Sequence, residues 1–258
     1  MLLRPLATVF RCLGAALAVL ATALAADYRA GVARLEIAPE RWVQAVAIQD
    51  PKGGRAVIVT AAAMGLPRAI TDLVAARSEL DRSQVLFLSG PAPPPNQAKL
   101  AEDLVTVIGA ALGDLQPAAL SYGEGSGLRV AAPDGLLRAA LFGDGAGPVG
   151  HSRAVGGPIR SAFRMVEPEP ALRSRETPEP RSNLCPVQAI RFGKSLTLLA
   201  LGGEVTPDYA RRIRLQFSRA KEPLVVVGNS NDIARPFARE LEPAILGGIR
   251  TVLKRVGR

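Results

Sequence analysis

The chain has 258 residues, with 32 lysines and arginines against 23 aspartates and glutamates, a formal net charge of +9 and a single histidine. Such a charge would suit a nucleic acid or an anionic surface. However, the arginines are dispersed and only 4% of the residues are aromatic, so stacked bases would find few partners. We therefore expect no nucleic-acid partner, and a chain long enough for one sizeable core.

Residues 1–25 have the pattern of an export signal. Arginines near the start, an apolar stretch and the cleavage pattern Ala23-Leu24-Ala25 follow one another. Because the apolar stretch is shorter than the roughly 20 residues that a membrane span needs, we expect cleavage rather than a retained anchor. The mature chain, 26–258, is then periplasmic or extracellular and has no stable transmembrane span. It keeps Cys185 as its one cysteine.

The residues after the signal alternate short apolar runs with longer helical patterns, as in a chain that builds a sheet covered by helices. The run before the glycine-rich centre of the chain predicts strands at 31–37, 42–48, 55–61, 84–88 and 118–122, the last at a sheet edge, and helices at 67–80 and 96–112.

From 123 to 186 glycines and prolines accumulate and periodicity disappears, so we expect a long irregular central segment, with 167–183 as a charged, proline-rich linker. Order returns after it, with predicted strands at 187–192, 196–201 and 223–228 and predicted helices at 207–217 and 236–256. The alternation indicates a single α/β domain, 26–258, in which one mixed, partly parallel sheet is flanked by helices. No internal repeat is visible.

The local motifs for chemistry are weak. His151 and Ser152 lie in a Gly-His-Ser segment that superficially resembles a nucleophile elbow. The histidine is the serine's immediate neighbour, no strand pattern precedes it, and no other imidazole could complete a triad. One histidine and one mature cysteine also make no recognisable metal-binding set.

Glu204 is the polar residue best placed for chemistry. It follows two glycines at the end of an apolar run and precedes a predicted helix, which is where α/β proteins commonly place working groups. Asp208 falls in the first turn of that helix. An acid there interacts favourably with the helix dipole, which we favour over a metal-binding role.

Several segments, in order along the chain, resemble the neutral/alkaline (non-lysosomal) ceramidases and their bacterial relatives. The quoted segments are AGVARLEIAP (30–39), RAVIVTAAAMGLP (55–67), QVLFLSGP (84–91), LQPAALSYGEG (115–125) and LGGEV (201–205), with looser matches at 140–147, 187–193 and 224–231. The resemblance implies the family's α/β catalytic domain in a shortened form.

The resemblance also implies a zinc-dependent amidohydrolase that cleaves ceramide, with zinc held by two histidines, a glutamate and a tyrosine. Only Glu204 occupies one of these ligand positions. Leu88 runs straight into Ser89 where a histidine pair is expected, and Ile233 stands at the tyrosine position. One carboxylate does not hold zinc, so we expect no bound cofactor and a catalytically silent relative, in which Glu204 is vestigial.

Three functions remain open from the sequence. The first is a non-catalytic exported protein with a binding or scaffold role toward an amphiphile or a protein partner. The second is a residual hydrolase of ceramide or a related lipid amide, with a site rebuilt from Glu204, Asp208, Asp232 and His151. The third is a decaying gene product without a selected role.

Overall fold

The computed structural model describes residues 28–39, 41–61, 66–89, 96–123, 127–134, 136–141, 153–166, 185–203, 205–219, 222–229 and 242–258. The predicted export signal, 1–25, lies outside these ranges, as do Glu204, His151, Asp232 and Ile233. Strands and helices are numbered below in chain order.

The first part of the chain forms three antiparallel strands and then a helix, a parallel strand and a second helix. The strands are β1 (Tyr28–Ala38), β2 (Arg41–Gln49) and β3 (Arg55–Ala61), followed by α1 (Arg68–Arg77), β4 (Val85–Ser89) and α2 (Gln97–Gly113). Strand β4 lies parallel to β3, and the sheet order is β4-β3-β2-β1. Asn96 caps α2 by accepting a hydrogen bond from the Lys99 nitrogen at 3.1 Å.

The last part of the chain has the same arrangement. It comprises β9 (Ile159–Val166), β10 (Cys185–Phe192), β11 (Leu196–Gly202), α3 (Pro207–Phe217), β12 (Leu224–Asn229) and α4 (Glu242–Arg255). Strand β12 lies parallel to β11, and the order is β12-β11-β10-β9. Thr206 caps α3 by accepting a hydrogen bond from the Tyr209 nitrogen at 3.3 Å.

The chain therefore contains one six-element unit twice, which the sequence analysis did not predict. The two units also agree in which face of each strand points to which core. Val46 and Ile48 on β2 point into the same core as Ile190 and Phe192 on β10. The alternate residues on β2 point instead toward α1 and α2, and those on β10 toward α3 and α4. The repeat is conserved in polarity and topology rather than in residue identity.

The two units pack sheet against sheet, with helices outside. One core holds side chains of both sheets, including Tyr28, Ile58, Leu86, Phe192 and Leu198. A second core lies between the first sheet and α1 and α2, and a third between the second sheet and α3 and α4. The predicted mixed α/β class, with parallel and antiparallel strands flanked by helices, is confirmed. The expectation of one shared sheet was wrong, because the ordered blocks form two sheets.

Four further strands extend the first sheet. The strands β5 (Gln116–Gly123), β6 (Gly127–Ala131), β7 (Leu137–Leu141) and β8 (Arg153–Val155) are antiparallel, and β5 pairs with β1, β6 and β8. Strand β5 is therefore internal, not at an edge. Strands β6 to β9 also fall within 123–186, so the described parts of that segment are not irregular. Residues 167–184 lie outside the described ranges.

No described helix is both long enough and apolar enough to cross a membrane.

Candidate functional site

The loop that carries Glu204 leaves the carboxyl end of β11 and leads into α3. Its placed residues, Gly203 and Val205, lie against β12. A Cβ on Gly228 would be 2.9 Å from the Gly203 carbonyl oxygen and 2.9 Å from the Val205 nitrogen. This loop therefore lies where the carboxyl ends of the two parallel strands β11 and β12 meet. The side chain of Glu204 is outside the described residues.

A small polar cluster, formed by Cys185, Tyr209, Arg212 and Glu242, lies beside this loop. The buried Cys185 thiol donates to the Gly202 carbonyl oxygen, with 3.7 Å between sulfur and oxygen. Arg212 pairs with Glu242 at 2.9 Å, and its guanidinium carbon lies 6.0 Å from the centre of the Tyr209 ring. The sequence analysis missed this cluster, since only the spacing of Tyr209 and Arg212 along one helix hinted at it.

Burial changes the acidity of two of these groups. Desolvation raises the pKa of the Cys185 thiol to about 11, although its hydrogen bond to Gly202 acts in the opposite direction. Desolvation also raises the pKa of Tyr209 to about 12, with the negative charge of Glu242 adding to the effect. Both groups are therefore neutral at physiological pH, and the thiol is a poor nucleophile.

These residues do not fit the zinc site that the ceramidase resemblance implies. That site needs two histidines, a glutamate and a tyrosine, whereas the chain has a single histidine, His151, and the described residues beside the Glu204 loop include none. Within the described ranges, no three histidine, cysteine, aspartate or glutamate side chains are grouped so that they could hold a metal ion.

Of the four residues of the rebuilt site considered above, only Asp208 lies within the described ranges. Asp208 lies in the first turn of α3, directly after the cap at Thr206 and the proline that follows it. This is the position in which an acid stabilises a helix, as predicted. Glu204, His151 and Asp232 are outside the described residues, so their convergence with Asp208 stays a hypothesis.

Asp50 joins the two units. Its carboxylate is buried in the loop between β2 and β3, where Oδ1 accepts hydrogen bonds from the Lys52 and Gly54 nitrogens at 2.7 and 2.9 Å. Oδ2 accepts from the Ile159 nitrogen at 2.6 Å, at the start of β9. All three donors are backbone groups, so the carboxylate has a structural role.

A second link between the units surrounds Arg82. Its guanidinium carbon lies 5.1 Å from the ring centre of Phe87 in the first unit and 4.5 Å from that of Phe163 in the second. Burial lowers the pKa of Arg82 to about 10, although Asp72 opposes this shift. Nearby, the Gln188 side-chain amide donates to the Ser83 carbonyl oxygen at 2.8 Å. These polar groups also hold the sheets together.

The carboxyl-terminal residues are held by a third set of contacts. Arg191 donates to the Val256 and Gly257 carbonyl oxygens, and its guanidinium pairs with Glu222 at 3.3 Å. Arg258 donates to the Glu222 carbonyl oxygen at 2.9 Å, and burial lowers its pKa. The end of α4 is thus fixed to the second sheet.

An open groove of about 560 Å³ lies between β9 and α4. It is lined on one side by Arg164, Met165 and Val166, and on the other by small residues of α4 with Thr251. The hydroxyl of Thr251 accepts a hydrogen bond from Arg164 at 3.1 Å. The residues that line the groove are not those of the Glu204 loop, where the sequence predicts the site, and no sequence motif predicts the groove.

Comparison with protein-family models, with curated proteins and with solved structures finds no match to this chain.

Proposed function

We propose that this chain is an exported, ceramidase-like protein that binds or organises a partner and does not turn over a lipid amide. The partner would be an amphiphile or another protein. The observation that carries the proposal is the set of groups beside the Glu204 loop, where the family's chemistry would take place.

That set is unsuited to hydrolysis in two respects. The thiol of Cys185 and the phenol of Tyr209 are kept protonated by burial. The charged groups beside them, Arg212 and Glu242, are paired with each other, which leaves neither as an uncompensated acid or base. A general acid or base must instead have a pKa near the working pH.

The remaining buried polar residues support the same proposal. Asp50, Arg82 and Gln188 join the two units, and Arg191 holds the end of α4. Asp50, Gln188 and Arg191 form hydrogen bonds with backbone groups of distant segments, and Arg82 packs on Phe163 of the second unit, so these residues stabilise a rigid framework. Such a framework suits the display of a binding surface.

The test uses the mature chain purified without chelators. Elemental analysis would measure bound zinc, and fatty-acid release from a short-chain ceramide would measure turnover, both with and without added zinc. We expect far less than one zinc per chain and no release above buffer. The Glu204→Ala variant should be indistinguishable from the unmodified protein in both assays.

Stoichiometric zinc together with turnover that Glu204→Ala abolishes would overturn the proposal and establish the residual hydrolase instead. Glu204→Gln serves as a matched variant, because it keeps the size of the side chain and removes its charge.

A further inference from the structure

In the part of the chain that the structure describes, no strand covers the outer edge of β9. Strand β9 is the last strand of its sheet and pairs with β10 on one side only, from Ile159 to Val166. Within the described ranges, no strand pairs with its other side. Its backbone groups along that side are therefore a template for one more strand.

The repeated unit shows how such an edge is filled. Strand β1 holds the equivalent place in the first unit, and its outer edge takes β5 as an antiparallel neighbour at Tyr28–Ala30. Among the described residues of the second unit, no strand takes the corresponding place beside β9. The repeated topology thus has a place for one added strand beside β9.

The groove beside the edge has room for side chains. A Cβ on Gly247 would meet no atom within 4 Å, so α4 stands away from other groups there. At the next residue the helix touches the strand, because a Cβ on Gly248 would lie 2.5 Å from a methyl group of Val166. The groove is therefore shaped by a firm helix-to-strand contact on one side and opens on the other.

The positive charge of this surface favours an acidic binding partner. Arg160 and Arg164 are exposed on the same face of β9, and Arg250, Lys254 and Arg255 are exposed on α4. No described acid forms an ion pair with any of these five. Pairing of β9 with β9 of a second copy would set these arginines against each other, which is unfavourable.

We infer that the β9 edge and the adjoining groove bind an extended acidic peptide segment of another protein, which adds as a strand and places its carboxylates beside Arg160 and Arg164. The inference goes beyond the proposed function and does not depend on it, since it uses no residue of the Glu204 loop. Main-chain hydrogen bonds supply affinity in this mode of binding, and alternate side chains supply specificity.

The probe is a fluorescently labelled seven-residue peptide of alternating glutamate and valine, which places every carboxylate on one face of a strand. Two control peptides separate charge from strand addition. One has lysine in place of glutamate, and the other keeps the glutamates but carries N-methyl groups at alternate backbone nitrogens. Binding would be followed by anisotropy, at low and physiological salt.

Two pairs of variants locate the site. Arg160→Ala with Arg164→Ala removes two charges from the β9 edge, whereas Arg211→Ala with Arg214→Ala removes two exposed charges from α3. Gly247→Leu fills the groove, and its matched control, Gly109→Leu, is at an exposed and equally open position of α2. Both leucines favour the helix, so neither is expected to prevent folding.

We expect saturable binding of the acidic peptide, with affinity reduced about tenfold by the β9 pair of substitutions, as for two exposed ion pairs. Gly247→Leu should abolish binding, and the α3 pair and Gly109→Leu should leave it unchanged. The lysine and N-methyl peptides should not bind.

Absence of binding by the acidic peptide would overturn the inference. So would equal binding of the N-methyl peptide, which would reduce the interaction to charge alone. A different result would be that the protein binds anionic vesicles or a single-stranded oligonucleotide, loses that binding in the β9 variants, and fails to bind the peptide. That result would assign the surface to a membrane or a nucleic acid and would contradict the inference equally. Zinc and ceramide assays are unaffected by any of these outcomes.

Discussion

Buried polar residues in this chain connect segments that are distant in sequence, and Asp50 shows the principle most directly. Its two oxygens receive three backbone N–H groups, one of them from the second unit. An asparagine would turn an amide N–H toward at least one of these donors. Hydrogen bonds to a charged acceptor contribute more than neutral ones, and a buried donor without a partner is costly.

We therefore expect Asp50→Asn to lower the free energy of unfolding by roughly 2 kcal/mol, measured by urea denaturation. Asp134→Asn is the control, because the Asp134 carboxylate accepts one hydrogen bond at an exposed turn, from the Leu136 nitrogen. It should change stability by less than about 0.5 kcal/mol. Equal effects of the two substitutions would refute the bridging role of Asp50.

Cys185 provides a second prediction at the scale of single residues. Because burial raises the pKa of its thiol from 9.0 to about 11, a thiol reagent should react with the native protein at pH 8 much more slowly than with the protein in urea. Rapid reaction of the native thiol would show that Cys185 is neither buried nor protonated as described.

The same shift predicts a pH dependence of stability. The thiol is neutral in both states below its unfolded pKa. Between pH 9 and pH 11 it ionises in the unfolded chain while it stays protonated in the folded one, so unfolding becomes more favourable as the pH rises. Compared with Cys185→Ala, the unmodified protein should lose stability more steeply across that interval. Parallel pH profiles would contradict the assignment.

At the scale of elements, α4 has two adjacent glycines in different surroundings. A Cβ on Gly248 would lie 2.5 Å from a methyl group of Val166, whereas one on Gly247 would meet nothing within 4 Å. Alanine gains about 1 kcal/mol over glycine in a helix, but crowding a packed contact costs about 1 to 3 kcal/mol.

Gly247→Ala should therefore stabilise the protein, and Gly248→Ala should destabilise it, with a difference of about 2 kcal/mol between the two variants. Thermal and urea unfolding of both variants would measure it. If the two substitutions have the same effect, α4 does not approach β9 at Gly248.

Elements with a strong pattern could be predicted from the sequence. The stretch 56–59 is apolar throughout because β3 is buried on both faces, and the predicted helix 207–217 agrees with α3 because Thr206 and Pro207 mark its start. Strand β9 was missed, since its exposed Arg160 and Arg164 alternate with the buried Ala162 and Val166 on the same face. That pattern comes from α4 covering only part of the strand.

The repeat could not be read from the sequence for a related physical reason. In β3 and β11 the equivalent runs are AVIVTA and LTLLAL, which share polarity but not residues. Strands that are buried on both faces carry no signal for the sheet to which they belong. The polar cluster of Cys185 and Tyr209 also could not be predicted, because its residues are distant in the sequence and meet only in the folded chain.

At the scale of the whole molecule, the first residues of β1 tie the two units together. Tyr28 is buried, its ring packs at 6.3 Å on Phe192, and its hydroxyl donates to the Gly157 carbonyl oxygen at 2.6 Å. Signal cleavage before Ala26 would leave all of these contacts intact.

A chain that starts at Ala26 keeps every contact of Tyr28 and is the reference for the truncation, alongside the uncleaved chain. A chain that starts at Gly31 lacks Tyr28 and should lose about 3 kcal/mol or more, as expected when a large buried aromatic side chain is removed. Differential scanning calorimetry would compare the three chains. Similar stability of the Gly31 chain would contradict the role given to Tyr28.

Among the described residues, β1 has β5 as an outer neighbour and β9 has none, and we place the binding surface at that difference. Hydrogen exchange of the β9 amides, measured by mass spectrometry with and without the acidic peptide, tests this most directly. We expect about tenfold slower exchange for a fragment covering 160–166 on binding, with the edge strands β4, β7 and β12 unchanged. Unchanged exchange in β9, or protection at β4, β7 or β12 instead, would contradict this placement.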